Sequence, residues 1–197
     1  MNARTATFDR TTNETSVQVA LTLDGSGQAA IATGLPFLDH MLVALTRHAR
    51  IDLTLRCQGD LAIDDHHSAE DTALACGTAF DRALGERHGI ARFGHACVPM
   101  DETLVQVAID LSGRPFAAID LPLQRPMLGT LASENVRHWL RSFATAARLT
   151  LHVQRLAGDN DHHITEAAFK ALALALRVAC ARDGSPGTVP STKGTLQ

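Results

Sequence analysis

A six-residue segment that occurs twice constrains this chain more than any other feature. Asp65-His66-His67-Ser68-Ala69-Glu70 returns 96 positions later as Asp161-His162-His163-Ile164-Thr165-Glu166, and each copy leads into an apolar run typical of a helix. Chance rarely repeats such a pattern at matched places, so the repeat predicts a chain built from two similar halves. The alternative is a pair of polar helix starts that carry no shared chemistry.

The composition of the repeated segment indicates a metal site. Each copy places its glutamate on the helix face of its two histidines, three and four positions away. Two imidazoles and a carboxylate form a ligand set for a divalent ion. Adjacent histidines point about 100° apart around a helix, so the members of a pair are expected to serve different ions. The candidate metal ligands, which include two further histidines at matching places in the halves, are His40, His66, His67, Glu70, His138, His162, His163 and Glu166.

This ligand set favours some metals over others. Three histidines and one carboxylate per ion would leave positions for water or substrate on a six-coordinate ion, as suits manganese or iron. Zinc would prefer four ligands, and the set contains no cysteine, which argues against a structural zinc site. The remaining histidines that we interpret as ordinary core residues are His48, His88, His95 and His152.

Hydrophobic periodicity predicts the same order of elements in both halves. In the first half we expect strands at 16–23, 28–33, 51–57 and 60–63, a helix at 37–45, and a second helix that ends near residue 84. In the second half the corresponding segments are 105–113, 136–140, 149–153 and a helix that ends near 181, after a loop at 85–94. The predicted fold class is α+β, an internal duplication of a β-β-α-β-β-α half over about 17–84 and 105–181. Each half gives a sheet with helices on one face, and the two halves pack as a single catalytic unit.

Length, charge and cysteine usage exclude several classes of protein. The 197 residues suffice for a substantial core, and a net charge of −3 gives no general attraction to nucleic acid or anionic membranes. No apolar run approaches the roughly 20 residues that span a bilayer. The start of the chain lacks an apolar leader, and the four cysteines contain no CxxC pair and are interpreted as scattered core thiols. A cytoplasmic location is therefore expected.

A second set of residues is suited to an anion. The segment Pro190-Ser191-Thr192-Lys193-Gly194 offers hydroxyls, an ammonium group and a flexible glycine, so we expect the C-terminal loop 182–197 to close over a phosphate. Arg92 and Arg114 are candidates to clamp that phosphate. Lys170 lies one helical turn after the second repeated glutamate and is expected to point to the metal side.

Carboxylates beside predicted strands are candidates for proton transfer. Glu14 precedes the first repeated strand, and Asp101 and Glu102 precede its counterpart. Two roles are possible for either group, because a carboxylate at a strand edge can transfer a proton or can simply serve as a cap or an ion-pair partner.

Segments spread over nearly the whole chain match, in order, the motifs of one enzyme family. They are Asn13-Glu14-Thr15, the run from Thr33 to Leu42, the run from Asp65 to Thr72, Arg92-Phe93-Gly94, the run from Pro99 to Glu102, Ser112-Gly113-Arg114-Pro115, the run from His162 to Ala167, Phe169-Lys170 and the run from Pro190 to Gly194. On these residues the sequence closely resembles the imidazoleglycerol-phosphate dehydratases of histidine biosynthesis. Asn13 departs from the lysine that the family often has there.

The resemblance implies a fold, an assembly and a reaction. The fold is duplicated and similar to the second domain of a small-subunit ribosomal protein, with two Mn²⁺ ions per site and a shell of 24 subunits whose sites lie between neighbouring chains. The reaction is that of a hydro-lyase, which converts D-erythro-imidazole glycerol phosphate to imidazole acetol phosphate while the two ions bind the imidazolate ring. The resemblance places the phosphate on Arg92, Arg114, Lys170, Ser191 and Lys193. The expected proton-handling residues are Glu14 and Glu166, with Asp101 close by.

The duplication further suggests that His66 and Glu70 serve one ion and that His162 and Glu166 serve the other. Two other functions fit the same residues. One is a two-metal hydrolase that releases inorganic phosphate from a phosphorylated substrate. The other is a non-catalytic shell protein in which metal ions only join subunits.

Overall fold

The computed structural model describes residues 3–183, 187–194 and 196 and consists of two similar halves. The first half comprises β1 (Thr5–Thr11), β2 (Thr15–Thr22), β3 (Ala29–Ala32), α1 (Pro36–Ala49), β4 (Asp52–Gly59) and α2 (His66–Leu84). The second comprises β5 (Phe93–Met100), β6 (Thr103–Asp110), β7 (Phe116–Asp120), β8 (Met127–Leu128), β9 (Leu131–Ala132), α3 (Ser133–Ala146), β10 (Thr150–Ala157) and α4 (Asp161–Ala179). The small β8–β9 pair is an addition of the second half.

The two main sheets have the same topology. Their strand orders are β1-β2-β4-β3 and β5-β6-β10-β7, with antiparallel pairs except for the parallel last pair of each sheet. The central strands alternate buried and exposed residues, and the buried side of β2 carries Val17, Val19 and Leu21. An antiparallel sheet with one apolar face buries that face against helices. The predicted α+β duplication is therefore confirmed.

The helices join the halves, because each helix packs against a helix of the other half. Helix α1 contacts α4, and α2 contacts α3. The α2–α3 approach is close at Gly77, where an added Cβ would lie 2.7 Å from the carbonyl oxygen of Phe143. Each half therefore has helix faces that are covered by the helices of the other half.

All four helices begin on the same side of the molecule. His40 of α1 lies near Glu166 of α4, and His66 of α2 lies near His138 of α3. At the other end, Phe80, Ala49 and Leu176 line one cavity. We call the side at which the helices begin the start face, and the side at which they end the end face.

The order of strands within each half differs from the prediction. Each half runs β-β-β-α-β-α instead of β-β-α-β-β-α. The additional strand lies at the beginning of the half, as β1 in the first and β5 in the second, and not before the last helix. Residues 60–63 form a turn closed by the Ile63 N–H and the Asp60 carbonyl (2.8 Å), and the predicted loop 85–94 ends inside β5. The reason is that β1 and β5 are edge strands with only half-buried inner residues, such as Ala6 and Phe8, so their apolar alternation is weak.

Two further features concern the surface and the C-terminus. Among the described residues, the helices are too short or too polar to cross a membrane. The four cysteines are free thiols, but Cys97 is exposed on β5, so the prediction of a core thiol is wrong there. Of the predicted closing loop, residues 184–186, 195 and 197 lie outside the described residues.

Candidate active site

The first of two histidine clusters joins α2 to α3 on the start face. His66, Glu70 and His138 bring one ligand atom each to within 4.8 Å of one another. Nε2 of His138 lies 3.1 Å from Oε1 of Glu70, and the rings of His66 and His138 stack with centroids 4.7 Å apart. We call these three residues the α2–α3 cluster.

The second cluster joins α1 to α4 and repeats the first. Oε2 of Glu166 lies 3.3 Å from Nε2 of His40 and 3.1 Å from Nε2 of His162, and these three form the α1–α4 cluster. Nζ of Lys170 lies 2.7 Å from the other Glu166 oxygen. Burial by itself would raise the pKa of Glu166, but Lys170 and the two histidines outweigh it and hold the pKa below its usual value. The carboxylate is thus held ionised.

Each cluster combines residues from both halves, because each helix packs against a helix of the other half. Each copy of the repeated segment supplies one histidine and the glutamate, and the other half supplies the remaining histidine from α1 or α3. Local contacts hold the helix starts in place. The Asn160 side chain accepts the backbone N–H of His162 (3.0 Å), and the carboxylate of Asp65 accepts the N–H of Ala132 just before α3 (2.6 Å).

The second histidine of each repeated pair faces away from these clusters. Nδ1 of His67 lies 3.0 Å from Asp60, and its Nε2 is 3.7 Å from Glu14. The hydrogen bond to Asp60 raises the pKa of His67, with Glu14 adding to the effect. His66 and His67 contact different groups, Asn135 and Asp60, and that they serve different ions stays a prediction.

His163 has the same arrangement in the second half. Its Nδ1 lies 2.9 Å from Glu102 and its Nε2 is 3.9 Å from Asp101. Both carboxylates belong to the two-residue turn between β5 and β6, in which Asp101 has φ +48°. The bond from His163 lowers the pKa of Glu102 to about 2, and the same pair raises the pKa of His163. The three residues form a third group of possible metal ligands.

The donor chemistry fits a divalent ion. Where Nδ1 lies against an acceptor oxygen, it must carry the proton and donate it, and this leaves the Nε2 lone pair for a metal. His66 satisfies this condition with Oδ1 of Asn135 at 3.2 Å, as His67 and His163 do with their carboxylates. Imidazole nitrogen with carboxylate oxygen suits manganese, iron or zinc.

The predicted phosphate ligands, apart from Lys170, lie on the end face. Arg92 forms a two-point pair with Asp110 (Nε–Oδ1 2.7 Å, Nη2–Oδ2 3.0 Å) and donates Nη1–H to the carbonyl of Pro190 at 2.7 Å. Arg114 is exposed and lies 3.9 Å from the same Asp110. In the C-terminal segment, the hydroxyl of Ser191 accepts the backbone N–H of Lys193 at 3.2 Å.

The two parts of the predicted site are far apart within one chain. The backbone N–H of Arg92 bonds to the carbonyl of Ala179 (3.0 Å), at the last residue of α4. Glu166 lies 13 positions earlier in the same helix, which corresponds to about 20 Å. A single chain therefore does not bring its predicted phosphate ligands, apart from Lys170, to its own histidine clusters.

Sequence reasoning missed two of the three residues that orient the histidines. Asp60 and Asn135 have no periodic relation to the histidines that they contact. Glu102 had a detectable signal, because it stands one position before β6 just as Glu14 stands before β2. The interpretation of His48, His88, His95 and His152 as core residues is wrong, since all four are exposed.

Comparison with known proteins gives a consistent result. Residues 33–176 match the protein-family model for imidazoleglycerol-phosphate dehydratase. The dehydratase of Granulibacter bethesdensis is 54% identical over 98% of this chain and 99% of its own length. That of Phytophthora nicotianae is 56% identical over 98% of this chain, which spans 42% of that longer protein.

Solved structures agree with the sequence comparison. The dehydratase of Pyrococcus furiosus superimposes with a TM-score of 0.83 at 36% identity, covering 96% of this chain and 100% of that one. The dehydratase of Staphylococcus aureus gives 0.82 at 34% identity, covering 90% and 99%. The chain therefore belongs to the imidazoleglycerol-phosphate dehydratase family, the lyases of histidine biosynthesis.

Proposed function

We propose that the chain dehydrates D-erythro-imidazole glycerol phosphate to imidazole acetol phosphate with two Mn²⁺ ions per active site. The observation that carries the proposal is the pair of three-ligand clusters on the start face, each of two histidines and one glutamate. Duplicated clusters suit an azole ring, which has two nitrogens to present to two ions. One ion would be held by His66, Glu70 and His138, and the other by His40, His162 and Glu166. When bound, the ions supply Lewis acidity and a template for the ring.

Proton transfer is assigned to Glu14, with Asp101, which lies beside His163, as a second candidate carboxylate. The Glu14 side chain is 54% exposed and lies within 4 Å of only one histidine in the described structure, so an oxygen is available to a substrate. Glu166 contacts two histidines and Lys170 and is better suited to hold an ion. The substrate hydrogen is not acidic, so a base alone would fail to remove it. With the ring activated by the bound ions, a positioned carboxylate would then take the neighbouring proton.

The separation between the clusters and the arginines supports a site shared by chains. A substrate made of one imidazole ring, a three-carbon chain and a phosphate cannot reach about 20 Å from the start face to the end face of one molecule. We therefore propose that Arg92, Arg114, Ser191 and Lys193 of one chain bind the phosphate of a substrate whose ring lies at the clusters of a neighbour. Lys170, which lies at the α1–α4 cluster, would meet that phosphate from the neighbour's side.

The outward-facing histidines support the same arrangement. His67 and His163 present Nε2 away from their own clusters, and each would complete the ligand set of an ion in an adjoining chain. A closed shell of 24 subunits, acting in the cytoplasm, is the assembly that we propose for these contacts. Residues 182–197 would close over the substrate and complete the single catalytic unit.

Turnover of imidazole glycerol phosphate tests the proposal. Chelated protein should lose activity and regain it with Mn²⁺, while His66→Ala should abolish turnover and lose metal. His152→Ala is the matched control, because this histidine is exposed on β10 and belongs to neither cluster. Normal turnover by metal-free protein would refute the proposal. Release of inorganic phosphate from the substrate would instead support a two-metal hydrolase.

Glu14→Gln separates proton transfer from metal binding. The substitution keeps the side-chain size and removes the base, so kcat should fall by about 10²- to 10⁴-fold with unchanged metal content. Asp9→Asn, an exposed carboxylate on β1, is the control. Unchanged kcat in the Glu14 variant would move the role to another carboxylate.

A further inference from the structure

A cavity of about 200 Å³ on the end face is lined by several arginines and a single carboxylate. It lies between the C-terminal ends of α1 and α4 and the turn after β2. The charged residues that line it are Arg4, Asp24, Arg50, Arg177 and Arg182. None of these residues belongs to the histidine clusters or to the predicted phosphate ligands.

The carboxylate is already engaged. Asp24 accepts two hydrogen bonds from the Arg4 guanidinium, at 3.0 and 2.6 Å, and one from Arg182 at 3.4 Å. The bonds from Arg4 lower the pKa of Asp24 to about 2, so it remains ionised. The third nitrogen of Arg4 donates to the carbonyl of Cys180 at 2.9 Å, where α4 ends. Asp24 thus positions two guanidinium groups and cannot neutralise the others.

Arg50 and Arg177 differ from Arg4 and Arg182 in their surroundings. Within the described part of the chain, neither guanidinium lies within 4.0 Å of a carboxylate, and both side chains are exposed. The two helix C-termini at the cavity contribute roughly half a negative charge each, which is less than the two positive charges of Arg50 and Arg177.

The same construction occurs at the predicted phosphate ligands. Arg4 immediately precedes β1, as Arg92 immediately precedes β5, and each forms a two-point pair with an aspartate and donates to a carbonyl of the C-terminal region. The two arginines stand at equivalent places of the duplication, whereas the aspartates do not, because Asp110 is the last residue of β6 and Asp24 lies two positions after the end of β2. Only the pair in the second half belongs to the predicted substrate site.

We propose that the end-face cavity binds a phosphate-class dianion, with Arg50 and Arg177 as its direct ligands and Arg4 and Arg182 behind them. Guanidinium groups offer paired N–H donors that match phosphate oxygens. The cavity is smaller than the roughly 300–1,000 Å³ of pockets for drug-sized ligands, so it suits a phosphate group alone. Arg182 begins the segment that continues to Ser191 and Lys193, so the site lies at the base of the predicted closing loop.

Phosphate binding to the full-length, manganese-loaded protein at low ionic strength tests the proposal. The wild type should saturate with one more inorganic phosphate per chain than Arg50→Gln/Arg177→Gln. Residual binding at the cavity should be at least about tenfold weaker, as expected for loss of one charge-assisted hydrogen bond. Arg56→Gln/Arg141→Gln removes the same charge from exposed positions elsewhere and should bind as the wild type does.

Equal stoichiometry and equal affinity in the wild type and the Arg50/Arg177 variant would overturn the proposal. That result would mean that the arginines serve only to complement the helix ends. Should the double variant fail to assemble, Arg177→Gln alone gives the same comparison, because this side chain lies on the exposed surface of the last helical turn. A parallel titration with glycerol 3-phosphate shows whether the bound species is free phosphate or a phosphomonoester, and either result supports the site.

Discussion

Co-assembly of two inactive variants should restore activity if sites are shared between chains. His66→Ala removes a ligand of the α2–α3 cluster on the start face, and Arg114→Ala removes a predicted phosphate ligand on the end face. Each variant alone has no intact site. In a mixed particle, the cluster of an Arg114→Ala chain can meet the phosphate ligands of a His66→Ala chain, and that site has every residue it needs.

The size of the recovery follows from the geometry. The two parts lie on opposite faces, about 20 Å apart along α4, so a site that uses both would have to take them from different chains. With equal and random mixing, half of the clusters and half of the phosphate ligands are intact. About one quarter of the sites is then fully intact. A site built within one chain would give none.

The assay uses two affinity tags, one on each variant, so that only mixed particles are purified after co-expression. Turnover is compared with wild-type protein at equal chain concentration. A mixture of His66→Ala with Glu70→Ala serves as the control. Both changes damage the α2–α3 cluster, so every chain of a mixed particle has a damaged cluster and the mixture should stay inactive. Mixed His66→Ala and Arg114→Ala particles that stay as inactive as their parents would refute the shared site.

Three other predictions concern single contacts. Gly77→Ala should lower the free energy of unfolding by about 1–3 kcal/mol in urea denaturation, because the new methyl group would press α2 against α3. Thr15→Val should cost about 1–3 kcal/mol in the same measurement, since its hydroxyl donates to the buried carboxylate of Asp71. Glu102→Gln should weaken Mn²⁺ binding about 10- to 100-fold in metal titrations, because Glu102 orients His163.

Each of these has a neighbouring control. The controls for stability are Thr78→Ala on α2 and Thr11→Val on β1, which alter half-exposed and exposed positions and should change the free energy of unfolding by no more than about 0.5 kcal/mol. The control for metal binding is Asp159→Asn, an exposed position before α4, which should leave Mn²⁺ affinity unchanged. A Gly77 variant as stable as the wild type would mean that the helices separate without cost. Unaltered stability in the Thr15 variant would mean that Arg10, which lies 3.1 Å from Asp71, suffices to satisfy the carboxylate.

The duplication and the ligand types could be predicted from sequence because both are local patterns. The repeated histidines and glutamate stand at helical spacing, and strand β2 alternates apolar and polar residues, so each pattern indicates its own element. Edge strands β1 and β5 were not predicted because their inward-facing residues are mostly only half-buried. Such a strand needs few apolar residues, so its sequence shows little hydrophobic alternation. The turn at 60–63 resembles a strand in sequence for a different reason, because four residues with apolar character are too few to distinguish a strand from a turn.

The sequence by itself determined which chemical groups the chain offers: imidazoles paired with carboxylates, and arginines with a hydroxyl-rich C-terminal segment. Tertiary structure alone decided which groups meet. His40 joins Glu166 and His138 joins Glu70, because each helix packs against a partner from the other half. The tertiary structure also places Arg92 on the opposite face from the clusters, since β5 runs antiparallel to α4 and begins beside the last residue of that helix. Such contacts join residues that are far apart in the chain, so they cannot be predicted from the spacing of residues within a local segment.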